Sequence, residues 1–175
     1  IIYLVLIGTM MFSISWQIMR GSTAAGATTY EPESARIAVI DRDDDAEHVA
    51  QSLRSYLALD GEMVTIDDDS ISLQQAVASN YVDLIAIVPQ GFAECYLQYA
   101  DNATATQPTI DTVVSYASGA GSLAQLKVNE FLSLTRTAYL GMPQAQRTLD
   151  AAMATTLDAA TADMKQSHIA VVSSD

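Results

Sequence analysis

Cysteine, histidine and positive charge are all scarce in this 175-residue chain. Its one cysteine, Cys95, argues against an intrachain disulfide framework and against a zinc site built from several cysteines. Eight basic residues against 21 acidic ones give a formal net charge of -13. Nucleic-acid binding requires Lys and Arg to neutralise phosphates, so this composition argues against it. It also argues against docking of the polar part on anionic lipid.

Recognisable catalytic groupings are equally scarce. The two histidines, His48 and His168, have no cysteine nearby and no serine in a nucleophile motif. Cys95 follows Phe92 by three residues and is predicted to pack as a small apolar group. The segment "GAG" (119–121) lacks the spacing and the lysine of a phosphate loop, and is predicted to be a strand-to-helix turn. We therefore expect no enzymatic activity and no bound cofactor in this chain.

Charge is absent from the first 19 residues, "IIYLVLIGTMMFSISWQIM". As a helix rising about 1.5 Å per residue, this segment is roughly 28 Å long, close to the thickness of the bilayer core. The alternative is a cleaved signal peptide, but its apolar part is usually about 7–15 residues and follows a basic segment. We predict a transmembrane helix over residues 1–20. The side chains expected in the bilayer include Ile1, Leu4, Leu6, Met10, Phe12, Ile14 and Trp16.

Small and polar residues at 21–35 predict a linker, and residues 36–175 then alternate between strand and helix patterns. Strands are predicted at 37–40, 63–66, 83–88, 109–117 and 169–172, and helices at 44–59, after a cap at Ser72, after Pro89, at 122–140 and at 144–165. The predicted fold class is α/β, with a small, mostly parallel sheet of about four or five strands. Helices flank this sheet, and a long helical hairpin follows it.

Aspartates cluster after the first two predicted strands, in "DRDDDAE" (41–47) and "DDDS" (67–70). Both clusters are expected at one edge of a parallel sheet, where ligands usually bind, so Asp41, Asp43 and Asp67 are candidate cation ligands. A calcium loop, however, alternates its ligands and includes a glycine, which "DRDDDAE" lacks. Helix capping explains the pattern better. Asp43 or Asp44 is predicted to cap the helix that follows, and "DDDSIS" the next one.

A strand that runs into aspartates is also typical of phosphoryl-accepting receiver domains and of some metal-dependent phosphatases. That chemistry needs an acceptor aspartate at the end of the third strand and a lysine at the end of a later one. The third strand offers Ile87 or Val88 instead, and Lys127 ends no predicted strand. The sequence therefore argues against this class of enzyme.

One combination of features is more specific. An apolar helix and a linker precede "IAVIDRD" (37–43), and "VPQGF" (88–92) follows before a long helical pair. This order resembles the membrane subunits of type-two ABC exporters. Their extracytoplasmic domain commonly opens with a "valvD.D" strand, matched here by Asp41 and Asp43. A later strand ends in "iPxgF", matched by Pro89, Gly91 and Phe92. The resemblance covers essentially the whole chain, although both motifs are short and structural.

The resemblance implies a function for each part of the chain. Residues 1–19 would lie in the cell membrane, and residues 36–175 would lie outside the cytoplasm. Partners would be the lipid bilayer, a second permease subunit in a homo- or heterodimer, and a cytoplasmic ATPase subunit that binds the ATP. In the family a segment containing "NP" and further membrane helices follow this domain. The alternative is a membrane-anchored ligand-binding or sensor module, with its ligand at the Asp41/Asp67 edge of the sheet.

Overall fold

A computed structural model describes residues 34–43, 48–102, 104–115 and 118–172, the last seven of them by backbone alone. These residues belong to one compact unit. The predicted transmembrane segment 1–20 and nearly all of the predicted linker 21–35 lie outside them. Within the described ranges, none of the helices has both the length and the hydropathy needed to cross a bilayer.

Strands and helices alternate along the described residues, so the predicted α/β class is confirmed. The elements are β1 (Arg36–Asp41), α1 (Val49–Leu57), β2 (Glu62–Met63), α2 (Ser70–Ala78), β3 (Leu84–Val88), α3 (Phe92–Asp101), β4 (Asp111–Val114), α4 (Gly119–Gly141) and α5 (Leu149–Val172), with a short 3-10 turn at Gln144–Gln146.

The sheet has four strands in the order β2-β1-β3-β4. β1 is parallel to both β2 and β3, and its register with β3 runs from Ile37 opposite Leu84 to Asp41 opposite Val88. β4 is antiparallel to β3, so the sheet is mixed. β3 lies between two strands and is buried at every position, which explains its unbroken apolar sequence.

The two faces of the sheet are covered unequally. Leu84, Ala86 and Val88 of β3 point into a large core formed with α1, α3, α4 and α5. Ile85 and Ile87 point the other way, into a smaller core to which α2 contributes Ala76. The alternation follows from the strand's period of two, which sends successive side chains to opposite faces.

α4 and α5 form the predicted helical hairpin. Tyr139 packs with Ala152, and further along the pair the hydroxyls of Thr135 and Thr156 are 3.5 Å apart, so the two helices are antiparallel. The segment "GAG" (119–121), predicted as a strand-to-helix turn before a helix at 122–140, is already helical and forms the first turn of α4. A Cβ atom on Gly121 would lie 2.4 Å from the backbone oxygen of Asp83, so only glycine lets α4 approach β3 this closely.

Three further local predictions are wrong. The strand predicted at 169–172 is the continuation of α5, which has no glycine or proline between Leu149 and Val172 to end it. Ser72 does not cap α2. The cap is Asp69, whose Oδ1 atom accepts hydrogen bonds from the backbone N–H groups of Ile71 and Ser72, each at 3.0 Å.

Cys95 is the third wrong prediction, since its side chain is exposed. Phe92, Tyr96 and Ala100 form the buried face of α3 at spacings of four residues. Position 95 is turned well away from that face, because each residue advances the helix by about 100°. The thiol is therefore accessible to reagents.

Candidate functional site

The two family-like motifs end side by side at one edge of the sheet. Asp41, the last residue of β1, lies opposite Val88, the last residue of β3. The next residue extends this pairing, because the backbone N–H of Arg42 donates to the carbonyl oxygen of Val88 at 3.0 Å. The parallel arrangement thus brings residues 41–43 close to residues 88–93.

Asp43 connects these two segments directly. Its Oδ1 atom accepts a hydrogen bond from the backbone N–H of Gly91 at 2.7 Å, and its Oδ2 atom accepts one from the backbone N–H of Ala93 at 2.9 Å. The residue is only 8% exposed. The carboxylate therefore caps the N-terminus of α3 from a loop 48 residues earlier in the chain, and its charge lies where the helix dipole favours it.

The predicted role of Asp43 as the cap of the helix following β1 is therefore wrong. That helix, α1, begins after His48, which has a left-handed φ of 48° and no side-chain capping bond. Asp44, the alternative cap, lies outside the described residues. The local pattern predicted that the Asp43 carboxylate caps α1, but it caps α3 through a long-range contact.

Three positions of the motif "VPQGF" have a structural explanation. Pro89 follows β3 directly and has no N–H to continue the sheet. Gly91 precedes α3 with a φ of 72°, a conformation that favours glycine, and it has no side chain to cap the helix itself. Phe92 is 2% exposed, and its ring lies 5.8 Å from that of Tyr96 between centroids. These residues turn the chain from strand to helix and anchor the helix in the core.

The other carboxylates of this edge also make hydrogen bonds within the protein. Asp41 is exposed, and its Oδ1 atom accepts from the backbone N–H of Asp43 at 3.1 Å. Arg42 donates to both oxygens of Asp68, with Nη2–Oδ1 at 2.6 Å and Nε–Oδ2 at 2.9 Å. This ion pair joins the loop after β1 to the loop before α2.

The Arg42–Asp68 pair shifts both ionisations in the direction that favours the charges. The hydrogen bond from the guanidinium lowers the pKa of Asp68, and the same bond raises the pKa of Arg42. Hydrogen bonds from Ser72 lower the pKa of Asp69 in the neighbouring cap. The loop before α2 is thus ionised at neutral pH and pairs with the one arginine of the acidic segment.

Metal binding gains no support from this geometry. Among the residues that the structure describes, no three carboxylate, histidine or cysteine side chains are grouped so that they could hold a metal ion. Both oxygens of Asp43 already accept backbone N–H groups, and Asp67 is exposed. Three further acidic residues of the first cluster, Asp44, Asp45 and Glu47, lie outside the described ranges.

The opposite end of the same two strands contains a pair that the sequence reasoning missed. Asp83 is 6% exposed and accepts three hydrogen bonds from Arg36, including one from its backbone N–H at 2.8 Å. Burial by itself would raise the pKa of Asp83, but the bonds from Arg36 outweigh it and hold the pKa below its usual value. The available signal was an arginine and an aspartate, each directly preceding a run of apolar residues.

Tyrosines contribute to packing rather than to an open site. Tyr96 and Tyr139 are buried, Tyr99 is half-buried, and Tyr116 lies outside the described residues. The Tyr96 hydroxyl donates to the carbonyl oxygen of Leu132, and burial raises the pKa of this tyrosine. His48 is exposed, and the structure does not describe the side chain of His168.

No family model, curated protein or solved structure matches this chain. The relation to ABC exporter subunits therefore stays a prediction from the two motifs. The geometry adds one observation to it: Asp43 of the first motif is hydrogen-bonded to Gly91 of the second.

Proposed function

We propose that residues 36–175 form the extracytoplasmic domain of an ABC exporter permease subunit, anchored in the cell membrane by residues 1–19. The domain would contact a second permease subunit and shape the exit path of the substrate, without catalysis of its own. A separate cytoplasmic ATPase subunit would bind the ATP. The observation that carries the proposal is the cap of α3 by Asp43, because it joins the two motifs by direct hydrogen bonds.

A structural role for the acidic edge supports a non-catalytic domain. Asp43 holds the N-terminus of α3 against the end of β1, and Asp68 pairs with Arg42. These bonds use carboxylate oxygens that catalysis or metal binding would require. The excess of negative charge, -13 in total, keeps such a domain soluble and discourages its binding to anionic polymers of the cell surface.

The membrane-anchored sensor with a ligand at the Asp41/Asp67 edge makes a different prediction. Asp41 and Asp67 are both exposed, so a cation or a basic ligand would meet them from solvent. Such a ligand would raise the melting temperature of the protein, because it would bind the folded state in preference to the unfolded one. The proposed permease domain has no such requirement.

Cys95 gives a direct test of the proposed location. It is the one cysteine of the chain, and it is exposed on α3. Intact bacterial cells that express the chain would be treated with a membrane-impermeant maleimide, and a Cys95→Ser variant would measure background labelling. We expect labelling in intact cells equal to that in lysed cells. Labelling that appears only after lysis would place the domain in the cytoplasm and contradict the proposal.

The partner is tested in the native membrane. The gene product, tagged at its own locus, would be cross-linked, solubilised and purified, and the co-purified proteins would be identified by mass spectrometry. We expect an ATPase subunit with Walker motifs. Recovery of a histidine kinase instead would favour the sensor, and the absence of any ATPase after cross-linking would argue against an exporter.

A further inference from the structure

A groove lies between α1, α4 and α5, on the part of the α4–α5 hairpin that is far from the acidic edge. Its volume is about 260 Å³. Its lining combines apolar and charged side chains: Tyr56, Leu59, Asp60, Lys127, Glu130, Leu134, Ala159, Ala160, Asp163 and Met164. We call it the hairpin groove.

Apolar side chains are exposed both in the hairpin groove and along α4 beyond it. Leu134 and Met164 line the groove, and each is 40% exposed. Leu126 and Leu123, at 64% and 61% exposure, lie about two and three turns before Leu134 on α4. Position 123 falls on the same side of the helix as position 134, since eleven residues make almost three full turns. Lys127 and Glu130 fall on the same side between them, so exposed apolar side chains flank charged ones along α4, a pattern that an amphipathic helix can match.

The charge of the hairpin groove is negative. Three carboxylates (Asp60, Glu130 and Asp163) against one lysine leave a formal charge of -2 on the lining residues. Lys127 already pairs with Asp60. The Tyr56 hydroxyl bonds to Glu130, and burial together with this carboxylate raises the pKa of Tyr56 to about 12. The Tyr56 phenol is therefore uncharged at neutral pH, and Asp163 is exposed on the α5 side.

Electrostatics argue against two possible occupants of the hairpin groove. A second copy of this chain would bring another net charge of -13 towards the same carboxylates. An anionic lipid surface would be repelled in the same way. The occupant that fits the hairpin groove is a partner protein with apolar side chains opposite Leu134 and Met164 and positive charge opposite Glu130 and Asp163.

We propose that the hairpin groove binds a cationic amphipathic helix of a partner protein. Apolar side chains of that helix, spaced three or four residues apart, would cover Leu134, Ala160 and Met164. Its Lys or Arg residues would pair with Glu130 and Asp163. This surface is independent of the proposed transport function, because the argument uses only the shape and charge of the groove.

The test uses the full chain in nanodiscs of zwitterionic phosphatidylcholine, with empty nanodiscs as the lipid control. Fluorescence anisotropy would follow three labelled 18-residue peptides. The first carries Leu and Lys at amphipathic helical spacing, the second has the same composition in scrambled order, and the third replaces Lys with Glu. We expect saturable binding of the first peptide alone, weakening as salt is added.

Two substitutions in the groove have matched controls outside it. Asp163→Lys reverses one groove charge, while Asp158→Lys reverses another exposed charge on a different side of α5. Leu134→Glu removes an apolar contact, while Ile71→Glu does the same on α2, where Ile71 is 65% exposed. An exposed ion pair is worth up to about 1 kcal/mol, or about fivefold in affinity, and reversal adds repulsion. We expect each groove variant to weaken binding at least fivefold and each control to change it less than twofold.

Several results would overturn the proposal. One is equal binding of the scrambled peptide, which would indicate general attraction to an acidic protein. Another is equal weakening by Asp158→Lys and Asp163→Lys. A third is no binding of the cationic amphipathic peptide at millimolar concentration. Circular dichroism of each variant would verify that it is folded, so that a loss of binding reports on the groove.

Discussion

Replacement of Asp43 is the sharpest test of how the acidic edge works. Asp43→Ala removes two hydrogen bonds, at 2.7 and 2.9 Å, from a carboxylate that is 8% exposed. Hydrogen bonds to charged groups contribute roughly 1.5–3 kcal/mol each, whereas loss of an N-cap costs roughly 0.5–2 kcal/mol. We expect the free energy of unfolding to fall by about 3 kcal/mol. The melting temperature should fall by roughly 10 °C.

The assay is thermal and urea denaturation followed by circular dichroism, with Asp67→Ala as the control. Asp67 is exposed, so its replacement should change the free energy of unfolding by less than about 0.5 kcal/mol. Asp43→Asn should fall between wild type and Asp43→Ala, because the amide oxygen can still accept one of the two bonds. Equal stability of Asp43→Ala and Asp67→Ala would refute the capping argument.

The same variants separate a structural role from a metal site. If the edge is structural, calcium or magnesium at about 1 mM should leave the melting temperature of wild type and Asp43→Ala unchanged. A metal ion that binds the folded protein, at a free concentration of 100 times its Kd, would stabilise the wild type by about 2.7 kcal/mol. A metal-dependent increase that disappears in Asp43→Ala would show that Asp43 binds a cation.

Three further predictions concern glycines and acid stability. Gly121→Ala should lower the free energy of unfolding in urea by about 2 kcal/mol, because its Cβ would meet the Asp83 backbone oxygen at 2.4 Å. Gly119→Ala has open space around it and should stabilise α4 by roughly 0.5 kcal/mol. Gly91→Ala should lower the free energy of unfolding by about 1 kcal/mol because of its positive φ alone, and Gly91→Asn should lower it less. Equal losses of stability in the two variants would contradict this backbone explanation. Arg36 lowers the folded-state pKa of Asp83 below its usual 3.8. The stability that the ionised Asp83 contributes is therefore present above about pH 4 and is lost as the pH falls through the folded-state pKa. Asp83→Asn should therefore flatten the fall of melting temperature in acid, and an unchanged slope would refute this origin.

The strands of the fold could be predicted because their patterns are local. The run "LIAIV" at 84–88 is apolar throughout, as a strand covered on both faces requires, and the structure buries every residue of it. The antiparallel direction of β4 was not predictable in the same way. It depends on which edge the chain reaches after α3, and no residue of Asp111–Val114 encodes that choice by itself.

The candidate site shows a clearer limit. The sequence placed Asp43 correctly in the loop just after β1, and its short polar side chain correctly suggested a cap. It could not show that the capped helix would be α3 instead of α1, because that choice follows from the pairing of β1 with β3. The prediction that Cys95 is buried was wrong for a different reason. Composition favours a buried thiol, but the spacing of Phe92, Tyr96 and Ala100 already turned position 95 outward.

The capping of α3 by Asp43 also has a consequence for the order of folding. The acceptor comes from a loop 48 residues before the helix whose N–H groups it satisfies. Those groups gain their partner only after β1 and β3 have paired, which requires closure of a long chain loop at an entropic cost. α3 should therefore be consolidated late, together with the central strands rather than as an early local helix. In a nascent chain, α3 would not be fully formed until β3, the strand preceding it, has paired with β1.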